Sequence, residues 1–292
     1  MGKASRRQRR TDSTSAARPA QAPFVARPFE GLADETEWVA LREILPAAMA
    51  TVQVRPEFAS AAEESRIVTV LPLAWPGLRR ADGVILASTQ SGHASGDASR
   101  DLAAQLLAVA ALEPGSPLVQ APQITADTPR LQDILVPAPL TVEVKEGFDF
   151  WVEGQELGEA EAESLQRANE SAVPTTRLAA LPSTYHVVIG ERSFIRVVLP
   201  QDEDAATDAL ARLAAAGTAA LHDDTRLLGA FRACGLLIPV WEVDTDAEPT
   251  SHEDGLTAFG TRYAAALADD TPLTPEQRRA RSGLLSRQVT LR

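Results

Sequence analysis

Two stretches of the chain, spaced by about 100 residues, run through the same order of local patterns: two strands, a long Ala-rich helix, a short helix and a final strand. In the first half the long helix is expected over 97–112, and Pro129-Arg130-Leu131-Gln132-Asp133-Ile134-Leu135 leads to Leu140-Thr141-Val142-Glu143-Val144. In the second half the long helix is expected over 203–216, and Thr225-Arg226-Leu227-Leu228-Gly229-Ala230-Phe231 leads to Val240-Trp241-Glu242-Val243. A pattern that returns in this order implies an α+β chain of two related lobes with a pseudo-twofold axis, the mark of an internal duplication. The alternative is chance, because Ala-rich helices resemble one another.

Other local signals fill in this frame. Asp34 followed by Glu37 reads as a capping pair opening a helix whose buried stripe is Trp38, Leu41 and Ile44. Short strands are expected at 51–54, 66–73 and 83–87, and a strand pair at 140–144 and 148–152. The second half offers an acidic helix at 159–170, a hairpin around Gly190-Glu191-Arg192, a short helix at 225–233, and a strand at 236–243. Pro239 inside that strand suggests an edge or a bulge. Two helices close the chain, the second opened by Thr274, Pro275 and Gln277. The expected divisions are a disordered basic arm at 1–27, a first lobe at 28–155, a second at 156–250, and C-terminal helices at 251–292 packed on the second lobe.

Composition restricts the chemistry. With 45% hydrophobic and 23% charged residues, a chain of 292 residues is expected to be soluble and globular. A single cysteine, Cys234, excludes an internal disulfide and a cysteine-rich zinc cage. Four histidines and two lysines, Lys3 and Lys145, thin the supply of bases and Schiff-base nucleophiles. No apolar run approaches the ~20 residues of a membrane span. No signal peptide follows the basic start, and Arg6 stands where a myristoylation signal needs Ser or Thr. The expected location is the cytoplasm.

Charge is segregated. Residues 1–27 hold seven cations and one acid, and 274–292 hold five arginines and one acid. For a whole-chain charge of −12, residues 28–273 carry −22. An acidic body repels polyphosphate, so nucleic acid or the ribosome is an expected partner only through residues 1–27. A solubilising or self-screening tail is the simpler role for that arm.

From Arg27 onward the chain resembles an uncharacterised actinobacterial family, a domain of unknown function. The resemblance rests on Arg27-Pro28-Phe29-Glu30-Gly31-Leu32, on Ala74-Trp75-Pro76-Gly77-Leu78-Arg79-Arg80-Ala81-Asp82-Gly83, on Ser95-Gly96-Asp97-Ala98-Ser99-Arg100-Asp101-Leu102, and on Arg278-Arg279-Ala280-Arg281-Ser282-Gly283-Leu284. It implies no activity. Some relatives carry a Cys/His zinc motif like that at the tail of the SecA translocase just before this body; here a basic arm stands in its place, so no zinc or translocase role transfers.

Several residues invite a functional reading. The loop from Ser91 to Ser99 lies between an expected strand and a helix start, where Gly92, Gly96, Ser99 and Arg100 could seat an anion. Asp97 or Ser99 serves equally as an N-cap, and a carboxylate there competes with phosphate. Ser91, His93 and Asp97 hold the letters of a catalytic triad, but nearness in sequence is no evidence of one. His222-Asp223-Asp224 and His252-Glu253-Asp254 offer metal ligands only if partners come from elsewhere, and each stands where an acid complements a helix start; no metal and no cofactor is expected. Trp75 beside Arg79 and Arg80 suits a contact with a protein partner. The expected function is a non-catalytic binding or assembly module. The alternatives are a hydrolase or nucleotide-handling enzyme using carboxylates in a cleft between the lobes, or an RNA-associated protein acting through its basic arm.

Overall fold

Helix α1 (Glu35–Glu43) buries six consecutive residues, Thr36 to Leu41, so it is covered on every side. A helix of this length can be so enclosed only by lying between two layers. A computed structural model, which describes residues 20–58, 64–70, 75–90 and 94–286, shows those layers to be two β-sheets.

The first sheet is built from β1 (Ala48–Val52), β2 (Ser65–Val68), β3 (Gly77–Arg79), β4 (Ile85–Ser88), β5 (Ser116–Leu118) and β6 (Val142–Val144), in the order β5-β3-β4-β2-β1-β6. Helix α2 (Ala98–Ala110) follows β4 and packs on β3, β4 and β5, and the short α3 (Leu131–Ile134) packs on α2. After α4 (Glu159–Glu170), the second sheet comprises β7 (Thr175–Leu178), β8 (Thr184–Ile189), β9 (Arg192–Val197), β10 (Arg226–Ala233) and β11 (Leu236–Val243), in the order β10-β11-β9-β8-β7. Helix α5 (Glu203–Ala215) connects β9 to β10, and α6 (Glu253–Leu267) and α7 (Pro275–Ser286) pack against it. The architecture is α+β with a helical C-terminal extension.

One core joins the two halves. Trp38, Val39 and Leu41 of α1 meet Ile67 and Ile85 of the first sheet, Leu102 and Leu106 of α2, and Tyr185, Leu236 and Ile238 of the second sheet. Beneath the second sheet lies another core, formed with α5, α6 and α7, in which Trp241 meets Phe259 edge to face at 4.8 Å. A third cluster, Met49, Val68, Leu86, Phe148 and Trp151, covers the other face of the first sheet.

The repeated order in the sequence does not extend to topology. The first sheet contains a parallel pair, β2 with β4, whereas the second is antiparallel throughout. Its expected short helix at 225–233 is the strand β10. The helix-forming Arg-Leu-Leu of this run yields to pairing with β11, and Gly229 (φ 154) absorbs a register jump after Leu227. Cys234 (φ 48) and Gly235 (φ 77) close that hairpin in the left-handed conformation. Residues 148–152 are likewise no strand. Phe148, Phe150 and Trp151 are all buried, which breaks the two-residue alternation, and a 3-10 turn (Asp149–Trp151) sets them against the first sheet.

Pro239 is not at an edge, since β11 lies between β10 and β9; it faces Ala230, at a point where the ladder to β9 is interrupted and resumes at Leu237 with Leu199. Asp34 takes a left-handed conformation (φ 53) and makes no cap; its carboxylate accepts from Leu140 N at 2.9 Å, while Glu37 turns inward. Of the arm expected at 1–27, only residues 20–27 are described. Residues 1–19 lie outside the described residues, but 20–27 run against the body, with Ala20 O accepting from Ala126 N and Val25 N donating to Gly96 O at 2.9 Å each. Arg27 pairs with Glu35 through two bonds of 2.6 and 2.7 Å. The cap at Thr274 forms as expected, with reciprocal bonds to Gln277 of 2.8 and 3.2 Å.

Gly77 allows β3 to press onto α2. A Cβ there would overlap Val109 Cγ2 and lie 2.8 Å from Leu86 O. Gly77→Ala is expected to lower unfolding free energy by about 1–3 kcal/mol in urea titration, and an unchanged midpoint would show that the contact between β3 and α2 yields freely.

Candidate functional site

The seam between the sheets is closed by hydrogen bonds. Glu37, 4% exposed on α1, accepts from Arg177 Nη2 at 2.6 Å, from Tyr185 Oη at 2.6 Å and from Ser183 Oγ at 2.7 Å. Ser183 Oγ also lies 2.7 Å from Thr36 Oγ1. Burial, with the Glu37 carboxylate beside it, pushes the Tyr185 phenol well above its ordinary range, so it stays a donor. A carboxylate so enclosed and so fully partnered orients the elements around it. Glu35, the next acid of α1, is held by Arg27. The seam therefore presents no open pair of carboxylates at these positions.

The loop singled out as an anion seat is arranged around its own carboxylate. Gly92, with Ser91 and His93, lies outside the described residues. Gly96 (φ 98) packs against Phe24. Asp97, fully buried, accepts from Ser99 N at 3.2 Å and is flanked by Arg100 Nε at 3.2 Å and Arg130 Nε at 3.0 Å. Ser99 Oγ donates to Gln132 Oε1 at 2.6 Å and accepts from Leu131 N at 2.9 Å. Arg100 also donates to the carbonyls of Ala126 and Thr128. The positive end of α2 is thus neutralised from within, as capping requires.

One turn further along α2 stands a feature that the sequence reading passed over. Asp101 and Gln105, spaced to share a helix face, line a cavity of about 690 Å³ together with Gln21, Ser95, Gln120 and Gln123. Asp101 is 5% exposed, and both its carboxylate oxygens lie 3.2 Å from Ser95 N. Gln105 is 2% exposed; its amide nitrogen donates to Asp101 O, and its Oε1 has no partner. The one available signal was Asp101 and Gln105 at i,i+4 in a helix otherwise rich in Ala, Leu and Val.

Trp75, Arg79 and Arg80 point to different surroundings. Trp75 is half exposed. Arg79 turns to the end of α2, donating to Ala110 O at 2.9 Å and to Leu112 O. Arg80 is buried, bonded to Asp82, to Glu153 at 2.8 Å and to Phe150 O at 3.1 Å. Those bonds raise its pKa despite the burial, Asp82 contributing most. Of the two histidine triplets, Glu253 accepts from Ala179 N and Ala180 N at 2.7 and 2.5 Å, and the rings of His222 and His252 approach to 5.7 Å.

Comparison with known proteins gives a family and no activity. A family model described as a family of unknown function, DUF5926, matches residues 28–292. No curated protein and no solved structure matches the chain. No helix among the described residues is long and apolar enough to cross a membrane.

If Glu37 holds the sheets together, Glu37→Ala removes the acceptor shared by Arg177, Tyr185 and Ser183 and leaves the buried Tyr185 hydroxyl with no acceptor to donate to. It is expected to cost about 3 kcal/mol or more in chemical denaturation. Replacing the exposed Glu163 on α4 with Ala should change stability by no more than about 0.5 kcal/mol. Similar losses for the two variants would show that the seam does not depend on this carboxylate.

Proposed function

The chain belongs to that family of unknown function, and on this premise we propose that it is a non-catalytic binding module whose ligand seat is the cavity beside the first half of α2. The observation that carries this reading is Gln105 Oε1, an acceptor without a partner on a side chain almost wholly removed from water, in a residue that lines the cavity of about 690 Å³. Buried acceptors in native proteins are nearly always satisfied, and each exception calls for an explanation, a bound molecule being one.

The lining defines the ligand's chemistry. Four glutamine amides, a serine and one carboxylate form a seat for a small polar molecule bearing N–H or O–H donors, such as an amine, an amide or a polyol. Amides bind and orient; at neutral pH they neither abstract protons nor attack a carbonyl. The described lining holds no histidine, cysteine or lysine. This chemistry favours binding over the hydrolase alternative.

A seat of this kind carries a stability signature. Gln105→Leu removes the unpaired acceptor while keeping the volume, so the free protein should gain up to about 1 kcal/mol. The test is thermal denaturation of the parent and of Gln105→Leu against amino acids, polyamines and sugars. One of these classes is expected to stabilise the parent, by about 2.7 kcal/mol at a hundredfold excess over its Kd, and to lose that effect in the variant. A parent indifferent to every class, together with a destabilised Gln105→Leu, would make Gln105 a structural residue and remove the proposal's basis.

A further inference from the structure

Three carboxylates among the described residues are buried, and the fold gives a cation to two of them. Glu37 pairs with Arg177, and Asp97 lies between Arg100 and Arg130. Asp101, 5% exposed, forms no ion pair among the described residues; its two oxygens share a single donor, Ser95 N, at 3.2 Å from each. An ionised carboxylate has about four acceptor positions, and a buried charge is ordinarily paired. The start of α2 offers partial positive charge, but Asp97 stands closer to that end, as its N-cap. Two arginines border the adjoining cavity of about 380 Å³, which Asp101 also lines, and both are engaged elsewhere: Arg42 with Glu43 and Thr89 O, Arg232 with Glu203.

We propose that the ligand of the cavity beside α2 is an aliphatic amine, bound as its ammonium ion with Asp101 as counter-ion. This rests on the cavity's being a ligand seat, and it names what the seat takes. Asp101 and Gln105, at i,i+4, share a face of α2. Together they are short of donors: a carboxylate served by one N–H, and Gln105 Oε1 served by none. An ammonium has three N–H donors and no acceptor, so one that reaches both residues supplies the missing donor and the missing charge at once. A polyol can satisfy Gln105 but leaves the charge of Asp101 unbalanced, and an anion adds a second negative charge where the fold has placed no cation. The rest of the lining suits a short aliphatic stem with a polar far end: Ala121, Pro122 and Ile124 offer apolar surface, and Gln21, Gln120 and Gln123 offer amides. The acidic body also draws cations toward it from solution.

The sequence hides this vacancy. In Asp97-Ala98-Ser99-Arg100-Asp101 an arginine stands next to Asp101, which reads as a ready partner. Adjacent residues of a helix do not face each other. Arg100 instead turns to Asp97 at 3.2 Å and to the carbonyls of Ala126 and Thr128, and Asp101 is left without it.

The test is calorimetric titration of the 292-residue chain with linear diamines from diaminopropane to diaminohexane, with the matching diols, and with the bis-trimethylammonium analogues of the diamines. One-to-one binding of a diamine is the expected result, with no heat from its diol. Asp101→Asn should weaken that binding at least about tenfold, the loss of a hydrogen bond to a charged group. The trimethylated analogue keeps the charge but has no N–H to give, and its affinity for the parent should fall by a similar factor. Glu163→Gln, at an exposed acid of α4, should leave the titration unchanged, which separates a seat from the general attraction of an acidic surface. Circular dichroism identifies a variant that has failed to fold; should Asp101→Asn fail, the diamine against its trimethylated analogue on the parent decides the matter. A diamine bound equally by the parent and Asp101→Asn would overturn the proposal. Absence of heat with every diamine would overturn it too; the cavity then remains a ligand seat if a diol or another neutral class binds, and falls with the amine if none does.

Discussion

A carboxylate on a helix enclosed by two sheets must either find donors or stay out of the core, and Glu37 finds three side chains that donate to it. All three come from the second sheet or the turn leading into it, while Glu37 belongs to the helix that feeds the first. Apolar contacts around Trp38 and Leu41 bring the layers together without fixing their direction. The bonds to Arg177, Ser183 and Tyr185 supply the direction, because each tolerates only a narrow geometry. Ser183 accepts a left-handed backbone (φ 47), uncommon for a residue with a side chain, in the turn that carries its hydroxyl to this junction. With the layers so registered, one core runs through both, and the site residues of each half hold fixed positions.

What the sequence disclosed depended on range. Helices α2, α4 and α5 and the cap at Thr274 follow from local patterns, and they form where those patterns lie. The strands β3, β5 and β7 have three or four residues each and no alternation long enough to read; β5 even contains Pro117, which its edge position tolerates. At 225–233 the local preference was for helix, and pairing with β11 overrode it. The duplication suggested by the sequence came from treating that segment as a helix. Once it is a strand, the second half has a five-stranded antiparallel sheet and no counterpart to the β2–β4 parallel pair.

The candidate sites show the same division. Capping at Asp97 was legible because both partners lie within three residues. The cavity beside Asp101 and Gln105 was not, because its opposite wall, the 120–124 segment, comes from beyond the end of α2. What distinguishes the cavity is a buried acceptor, Gln105 Oε1, that the fold leaves without a partner. Sequence names the residues able to make a bond; only the fold shows which of them are left with a bond unmade.

Arginine composition explains where the cationic side chains named in the sequence come to lie. The chain has two lysines among 28 basic residues, so nearly all of its cationic side chains are planar guanidinium forks. A fork can serve several acceptors at once and tolerates partial burial better than an ammonium. In an acidic body with many carbonyl ends to satisfy, such groups are drawn inward: Arg79 to the end of α2, Arg80 to Asp82 and Glu153, Arg100 and Arg130 to Asp97, Arg177 to Glu37, and Arg281 to Asp204 and Asp208. An arginine beside an aromatic or a glycine loop suggests a binding surface when acids are scarce. Where acids outnumber bases, the same residues are consumed by the fold, and a ligand seat is better sought among uncharged amides and any carboxylate that the internal ion pairs leave free.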